Sequence, residues 1–146
     1  MELALLMLLI ALVIHYPRKS EAARIKRGDD LTPRIEVTFN DDYTEEMVLD
    51  TGASVTTITQ DMAKTLKVKP VGEGVFILAD GKEVKMPIGE VKSIEVGGAK
   101  VDNVKVAIGG GDARLGQNFY GDREVLIKRD VVEFRWRRSP SNFQFY

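Results

Sequence analysis

Met47-Val48-Leu49-Asp50-Thr51-Gly52-Ala53-Ser54 is the stretch on which the reading of this chain turns. Three apolar residues lead into a carboxylate, and Thr-Gly follows it. Met47 to Leu49 predict the end of a strand buried on both faces. Gly52 predicts a tight turn that a Cβ would obstruct. Asp50 then stands where a buried strand breaks into a loop, a place where chemistry concentrates. An ordinary strand-to-turn junction uses the same residue types, because Asp, Thr and Gly all favour turns. The stretch alone does not separate the two readings.

Composition removes several alternatives. The chain has 146 residues, enough for one domain and not comfortably two, with apolar and charged fractions of 44% and 29%, those of an ordinary globular protein. A net charge of −1 gives no basis for nucleic-acid binding. There is no cysteine, which excludes disulfides, thiol nucleophiles and thiolate metal sites. The one histidine, His15, sits in an apolar stretch, so a Ser-His-Asp triad and a histidine-rich zinc site find no support. Carboxylates remain as the tools of a hydrolase, and no metal or cofactor is expected.

Around Asp50 the pattern is mostly β. Ile35, Val37 and Phe39 alternate with polar residues in a half-buried strand, Asn40-Asp41-Asp42 turns, and Tyr43 to Leu49 returns. After the Asp50 loop comes a short β-branched run, Val55 to Ile58. Thr59 then caps a short helix from Gln60 to about Leu66, with Met62, Ala63 and Leu66 facing the core. Val75 to Leu78 and Val84 to Met86 read as a hairpin turning at Ala79-Asp80-Gly81-Lys82, and Val91 to Val96 with Lys100 to Ile108 as another. A Gly-rich loop, residues 109 to 112, delivers Leu115-Gly116-Gln117-Asn118-Phe119, read as a Gly-broken strand followed by one helical turn. Glu124 to Ile127 and Val131 to Trp136 form a closing hairpin. The spacing of the strands predicts a small, barrel-like domain over residues 33 to 136, with a polar and aromatic tail over 137 to 146.

The N-terminus is of another kind. Leu3 to Ile14 is an unbroken apolar run, shorter than the roughly 20 residues of a bilayer-spanning helix but extended by Met1, His15 and Tyr16. Three readings stay open: a membrane anchor over residues 1 to 16, a cleaved signal peptide, or a core helix. The anchor, contacting the membrane through residues 3 to 16, is the working expectation, and a secreted or periplasmic protein after cleavage is the alternative. Residues 17 to 32 are polar and basic and read as a linker without a core of its own.

With its flanks, Met47 to Ser54 resembles the active-site loop of the aspartic proteases, in particular the half-size, retropepsin-like branch, where an apolar run leads into Asp-Thr-Gly-Ala. The order of parts is similar from about Pro33 to Trp136: a first hairpin, the Asp50 loop, a helix, a hairpin in the place of the substrate-covering flap, and Leu115-Gly116 before a helical turn. Leu-Gly-Gln-Asn-Phe after a Gly-rich loop resembles the second signature of bacterial membrane-anchored members. Two departures stand out. Arg114 replaces an apolar residue, which puts the burial of that strand in question. The flap tip, Asp80-Gly81-Lys82, is more polar than the Gly-rich flaps of viral members and nearer the bacterial pattern.

The resemblance implies a closed β-barrel half of the acid-protease fold, with one or two short helices, preceded by a hydrophobic N-terminal helix. It implies an aspartic endopeptidase acting on peptide or protein substrates. Asp50 would be catalytic; Thr51 would brace the two loops of a dimer across its axis, Gly52 would offer backbone contacts near substrate, and Ala53 is the retropepsin choice at its position. Ala79, Asp80, Gly81 and Lys82 would form the flap tip, and Leu115 and Gly116 the second signature. Ser54 reads as structural. The chemistry needs two carboxylates sharing one proton about 3 Å apart. The chain has one Asp-Thr-Gly, so the second carboxylate would be Asp50 of another copy in a homodimer. Two other readings compete: a catalytically weak dimerisation or peptide-binding module on the same fold, and an unrelated β-barrel domain, which would make both signatures accidents.

Overall fold

The computed structural model describes residues 21–136, so the expected anchor over 1–16 and the tail over 137–146 lie outside the described residues. In chain order the elements are β1 (Glu21–Arg24), β2 (Lys26–Arg27), β3 (Pro33–Phe39), β4 (Tyr43–Leu49), β5 (Thr56–Thr59), α1 (Gln60–Thr65), β6 (Gly72–Ile77), β7 (Glu83–Val96), β8 (Ala99–Gly109), β9 (Arg114–Leu115), α2 (Gln117–Tyr120), β10 (Arg123–Ile127) and β11 (Val131–Trp136).

Alternation sets the inside of the barrel. On β3, Ile35, Val37 and Phe39 are fully buried while Glu36 between them is exposed. The three-residue β3–β4 loop places Asn40 and Asp41 both at positive φ, 52° and 68°, and the Asp42 N–H donates to the Phe39 carbonyl at 3.2 Å. The Asn40 side chain then accepts the backbone N–H of Lys92 at 2.8 Å, tying the turn to β7. Along the main sheet the order is β2-β3-β4-β9-β5-β8-β7-β6, and a further pairing of β3 with β7, Thr38↔Glu95 and Phe39↔Ile94, joins the ends. Strands β3, β4, β9, β5, β8 and β7 thereby close a ring, which leaves few unpaired edges. Met47, Ile58, Val91, Val106 and Leu115 fill it.

Most elements lie within a residue or two of their sequence positions, including the helix, whose Thr59 hydroxyl accepts the N–H of Met62 at 3.1 Å. One strand differs. Val84 to Met86 and Val91 to Val96 are parts of the single 14-residue β7, which pairs with β6 over its first half and with β8 over its second. Pro87 and Gly89 flank Ile88, the residue at which its partner changes. Pro87 is tolerated where the strand passes from one partner to the other, and at Gly89 an added Cβ would collide with the Val68 side chain.

Residues 21 to 27, expected to belong to a linker, are instead part of the fold. β1 pairs with β11, which also pairs with β10, in a separate three-stranded sheet, and β2 pairs with β3. Ile25, 5% exposed, packs into the core, and its N–H donates to the Asp130 carbonyl at 2.8 Å. The segment has a single large apolar residue and a partner more than a hundred residues away, so no local periodicity announces it. A chain beginning at Thr32 should therefore melt far below one beginning at Glu21, or fail to fold. Ile25→Ala should cost about 2–5 kcal/mol. Thermal unfolding by circular dichroism checks this; equal melting of the two truncations would show that β1 and β2 add nothing.

Candidate active site

β4 runs into the ring buried over its last three residues, Met47, Val48 and Leu49, and stops at Asp50. The carboxylate is held on both oxygens. Oδ1 accepts the backbone N–H of Gly52 at 3.0 Å, and Oδ2 accepts Nη1 of Arg114 at 3.1 Å. Thr51, Gly52 and Ala53 form the loop around it, with the Ala53 N–H donating to the Asp50 carbonyl at 3.3 Å. Gly52 is not forced by sterics: an added Cβ would lie 3.4 Å from Oδ1, an ordinary contact, and its φ is not positive. The expectation that a Cβ would obstruct this turn is corrected on that point.

The second signature lies directly against the first. The Leu115 carbonyl accepts the Asp50 N–H at 3.1 Å, Gln117 N–H donates to the Ala53 carbonyl at 2.8 Å, and Asn118 N–H donates to the Ser54 carbonyl at 3.1 Å. Gly116 N–H donates to the Thr56 hydroxyl at 3.0 Å. Here the glycine is obligatory, because a Cβ on Gly116 would stand 2.5 Å from the Val55 carbonyl carbon. The Asn118 side chain completes the clamp: its Oδ1 accepts both the N–H and the hydroxyl of Thr56, at 2.8 and 2.9 Å, and its Nδ2 donates to the Lys105 carbonyl at 2.7 Å. Gln117 Nε2 donates to the Thr51 carbonyl. Thr56, Gln117 and Asn118 were not singled out as site residues from sequence. Short polar residues flanking an obligatory glycine were the available signal.

Leu115 is fully buried and Arg114 exposed, so the departure at Arg114 leaves the strand's burial intact. β9 lies between β4 and β5, with Arg114 opposite Val48 and Thr57. Tyr120, at the end of α2, is buried; that burial first, and then the Asp50 charge, pushes its hydroxyl above the ordinary tyrosine value. Ala79, Asp80, Gly81 and Lys82 form the tip of the β6–β7 hairpin, where Gly81 takes φ +83° and Asp80 Oδ1 accepts the Lys82 N–H at 3.0 Å. Among the described residues this tip makes no hydrogen bond to the Asp50 loop. The hairpin's half-buried face carries Phe76, Val84, Met86 and Ile88, and Met86 and Thr57 flank Gly109. Its other face exposes Val75 and Ile77. Among the described residues no group of three or more acidic, histidine or cysteine side chains is placed to hold a metal ion, and no helix is long and apolar enough to cross a membrane.

Residues 35–119 match the sequence profile of the aspartyl protease family, and the chain belongs to that family. The fold is retropepsin-like: among 167 matching chains of solved structures is the crystal structure of a retropepsin-like aspartic protease from Rickettsia conorii. That similarity has a TM-score of 0.57 at 21% identity and covers 85% of this chain and 99% of that one. No curated protein matches.

Three substitutions test the clamp. Gly116→Ala should destabilise the domain by roughly 1–3 kcal/mol through the backbone collision. Asn118→Ala should cost about 1–3 kcal/mol by leaving the Thr56 N–H without its acceptor. Gly52→Ala, which meets only an ordinary contact, should cost under 1 kcal/mol by the same measure. Urea unfolding of the three variants checks the order; a Gly52→Ala loss matching that of Gly116→Ala would contradict it.

Proposed function

We propose that the chain is an aspartic endopeptidase whose active site forms between two copies, each supplying Asp50. The observation that carries this reading is the clamp. A family member with a single Asp-Thr-Gly presents its carboxylate at the end of a buried strand, oriented by the Gly52 N–H and by a loop locked to Leu115–Asn118. Such a group is preorganised, and it is incomplete by itself, since the chemistry needs an acid and a base together. Across a two-fold axis the two carboxylates share one proton. The ionised Asp50 takes a proton from water as the oxygen attacks the scissile carbonyl carbon, and the protonated one gives its proton to the carbonyl oxygen. The tetrahedral diol then collapses: one hydroxyl gives its proton to the ionised carboxylate as the C=O re-forms, the C–N bond breaks, and the leaving nitrogen takes the proton of the other carboxyl group, so that the pair again shares one proton. Thr51 braces the two loops across the axis, Gly52 offers its backbone to the substrate, and the hairpin around Asp80 and Gly81 covers it.

One observation favours a second reading, a dimerisation or peptide-binding module with little turnover: Arg114 occupies Oδ2, the oxygen that the Gly52 N–H leaves open. Asp50→Asn separates the two. In the protease reading this near-isosteric change keeps fold and dimer and abolishes cleavage, because an amide cannot act as the base. At equimolar mixing about half of the dimers are mixed and hold one carboxylate each, so excess variant should poison wild-type activity. Peptide-library cleavage by the purified protein, followed through subunit exchange, checks this. Unchanged wild-type activity after demonstrated exchange would overturn the shared site.

The proposal includes a membrane tether through residues 3 to 16, supported by the apolar run Leu3 to Ile14. The full chain should sediment with membranes and resist extraction by high salt. A soluble product lacking the first 23 residues or so would favour a cleaved signal peptide instead.

A further inference from the structure

We propose that Arg114 reads an acidic side chain of the substrate beside the scissile bond, so that the enzyme prefers peptides carrying Glu or Asp there. The inference rests on the protease reading above and deepens it. β9 fixes the backbone of Arg114 on both sides, against Val48 of β4 and Thr57 of β5, and the burial of Leu115 turns the preceding side chain out of the barrel on the side of Asp50. The guanidinium has five N–H donors. One of them, on Nη1, bonds Asp50 Oδ2 at 3.1 Å, and among the described residues Asp50 is the only side chain it bonds. The other four make no hydrogen bond among the described residues, and the Arg114 side chain is 45% exposed.

A substrate amide close enough to be attacked at Asp50 lies within one side chain's reach of this cation. Opposite Arg114 stands Thr57, and Thr57 and Met86 flank Gly109; these neighbours carry no charge. Within the chain Asp50 is the one carboxylate bonded to Arg114 among the described residues, and an incoming carboxylate competes with it. It can accept two parallel N–H bonds from the fork of the guanidinium, in place of the single bond that Asp50 receives. The exchange leaves Arg114 paired and frees Oδ2 of Asp50, the oxygen required for the water and the shared proton. An apolar or amide side chain leaves Asp50 bound to Arg114, and a basic one is repelled. In this way the same contact both selects the substrate and unmasks the base.

The test uses the purified full-length chain and two matched sets of peptides, differing only by Glu against Gln at each position flanking the cleaved bond. One set is cleavable. The other carries a hydroxyethylene group in place of the scissile amide and reports binding alone. Wild type should favour Glu at one flanking position about tenfold in kcat/KM and in binding of the isostere, the scale of a hydrogen-bonded charge pair. Arg114→Leu should erase the preference and raise cleavage of the Gln peptide, and Arg114→Lys should keep part of the preference. Sizing and circular dichroism establish that the variants fold and pair. Equal handling of Glu and Gln by wild type, or a preference that survives in Arg114→Leu, would overturn the proposal. Absence of cleavage from both proteins, with a tenfold Glu preference in isostere binding that Arg114→Leu removes, would sink the protease reading while upholding recognition by Arg114.

Discussion

A strand that ends inside a barrel leaves backbone groups with no partner in the ladder, and each one left unpaired costs on the order of 1–3 kcal/mol. At the end of β4 these groups are the Asp50 N–H and the carbonyls of Ala53 and Ser54. All three are satisfied by one short segment, Leu115 to Asn118, through the Leu115 carbonyl and the N–H groups of Gln117 and Asn118. The segment can approach so closely only because residue 116 has no side chain. Everything else near the site follows from that contact. It brings β9 between β4 and β5, it aims α2 so that Phe119 and Tyr120 enter the core, and it fixes the direction of the Asp50 carboxylate.

Phe119 and Tyr120 also link the barrel to the second sheet. The Phe119 ring meets Phe134 of β11 edge-on, with centroids 5.4 Å apart, and Tyr120 lies 6.1 Å from the same ring. β11 in turn holds β1, which brings in Ile25. The segment that braces the Asp50 loop is thus anchored at its far end by the three-stranded sheet. A loop of this composition would otherwise be mobile, and a base displaced by an ångström loses much of its effect. By contrast, the β6–β7 hairpin beyond the ring has only its own ladder and exposes Val75 and Ile77, the properties of an element that opens at little cost.

The fold was legible where contacts are local. Hairpins with Asn-Asp or Asp-Gly turns, a Thr-capped helix and alternating strands each carry their signal within about ten residues, and the two signatures, read separately, lie against each other in the structure. Long-range contacts were not legible in this way. β1 and β2 have one apolar anchor between them, and their partners lie in β11 and β3, so their polar composition read as solvated tether. Asn118 looked like a helical-turn residue, yet its function is to supply an acceptor to Thr56, 62 positions earlier. Gly52 and Gly116 look alike in sequence, and only the distance to Val55 distinguishes the replaceable glycine from the obligatory one. Arg114 was visible as a departure from the family pattern, but its partner was not.

That partner is informative because stability does not explain it. The Arg114 and Asp50 side chains are 45% and 27% exposed, and an ion pair of this kind contributes about 0–1 kcal/mol. The barrel needs from position 114 only its backbone pairing with Val48 and Thr57, while the inward contact is made by Leu115. Leucine or isoleucine there would serve the fold equally well. On the proposed reading the guanidinium acts through its charge, which is delivered to Oδ2 while the backbone of Gly52 holds Oδ1. A weak, exposed contact on one oxygen, beside a rigid contact on the other, leaves the carboxylate's orientation untouched when the weak one breaks. On the proposed reading, orientation and availability of the Asp50 carboxylate are thus controlled by different groups, and only the second responds to what binds.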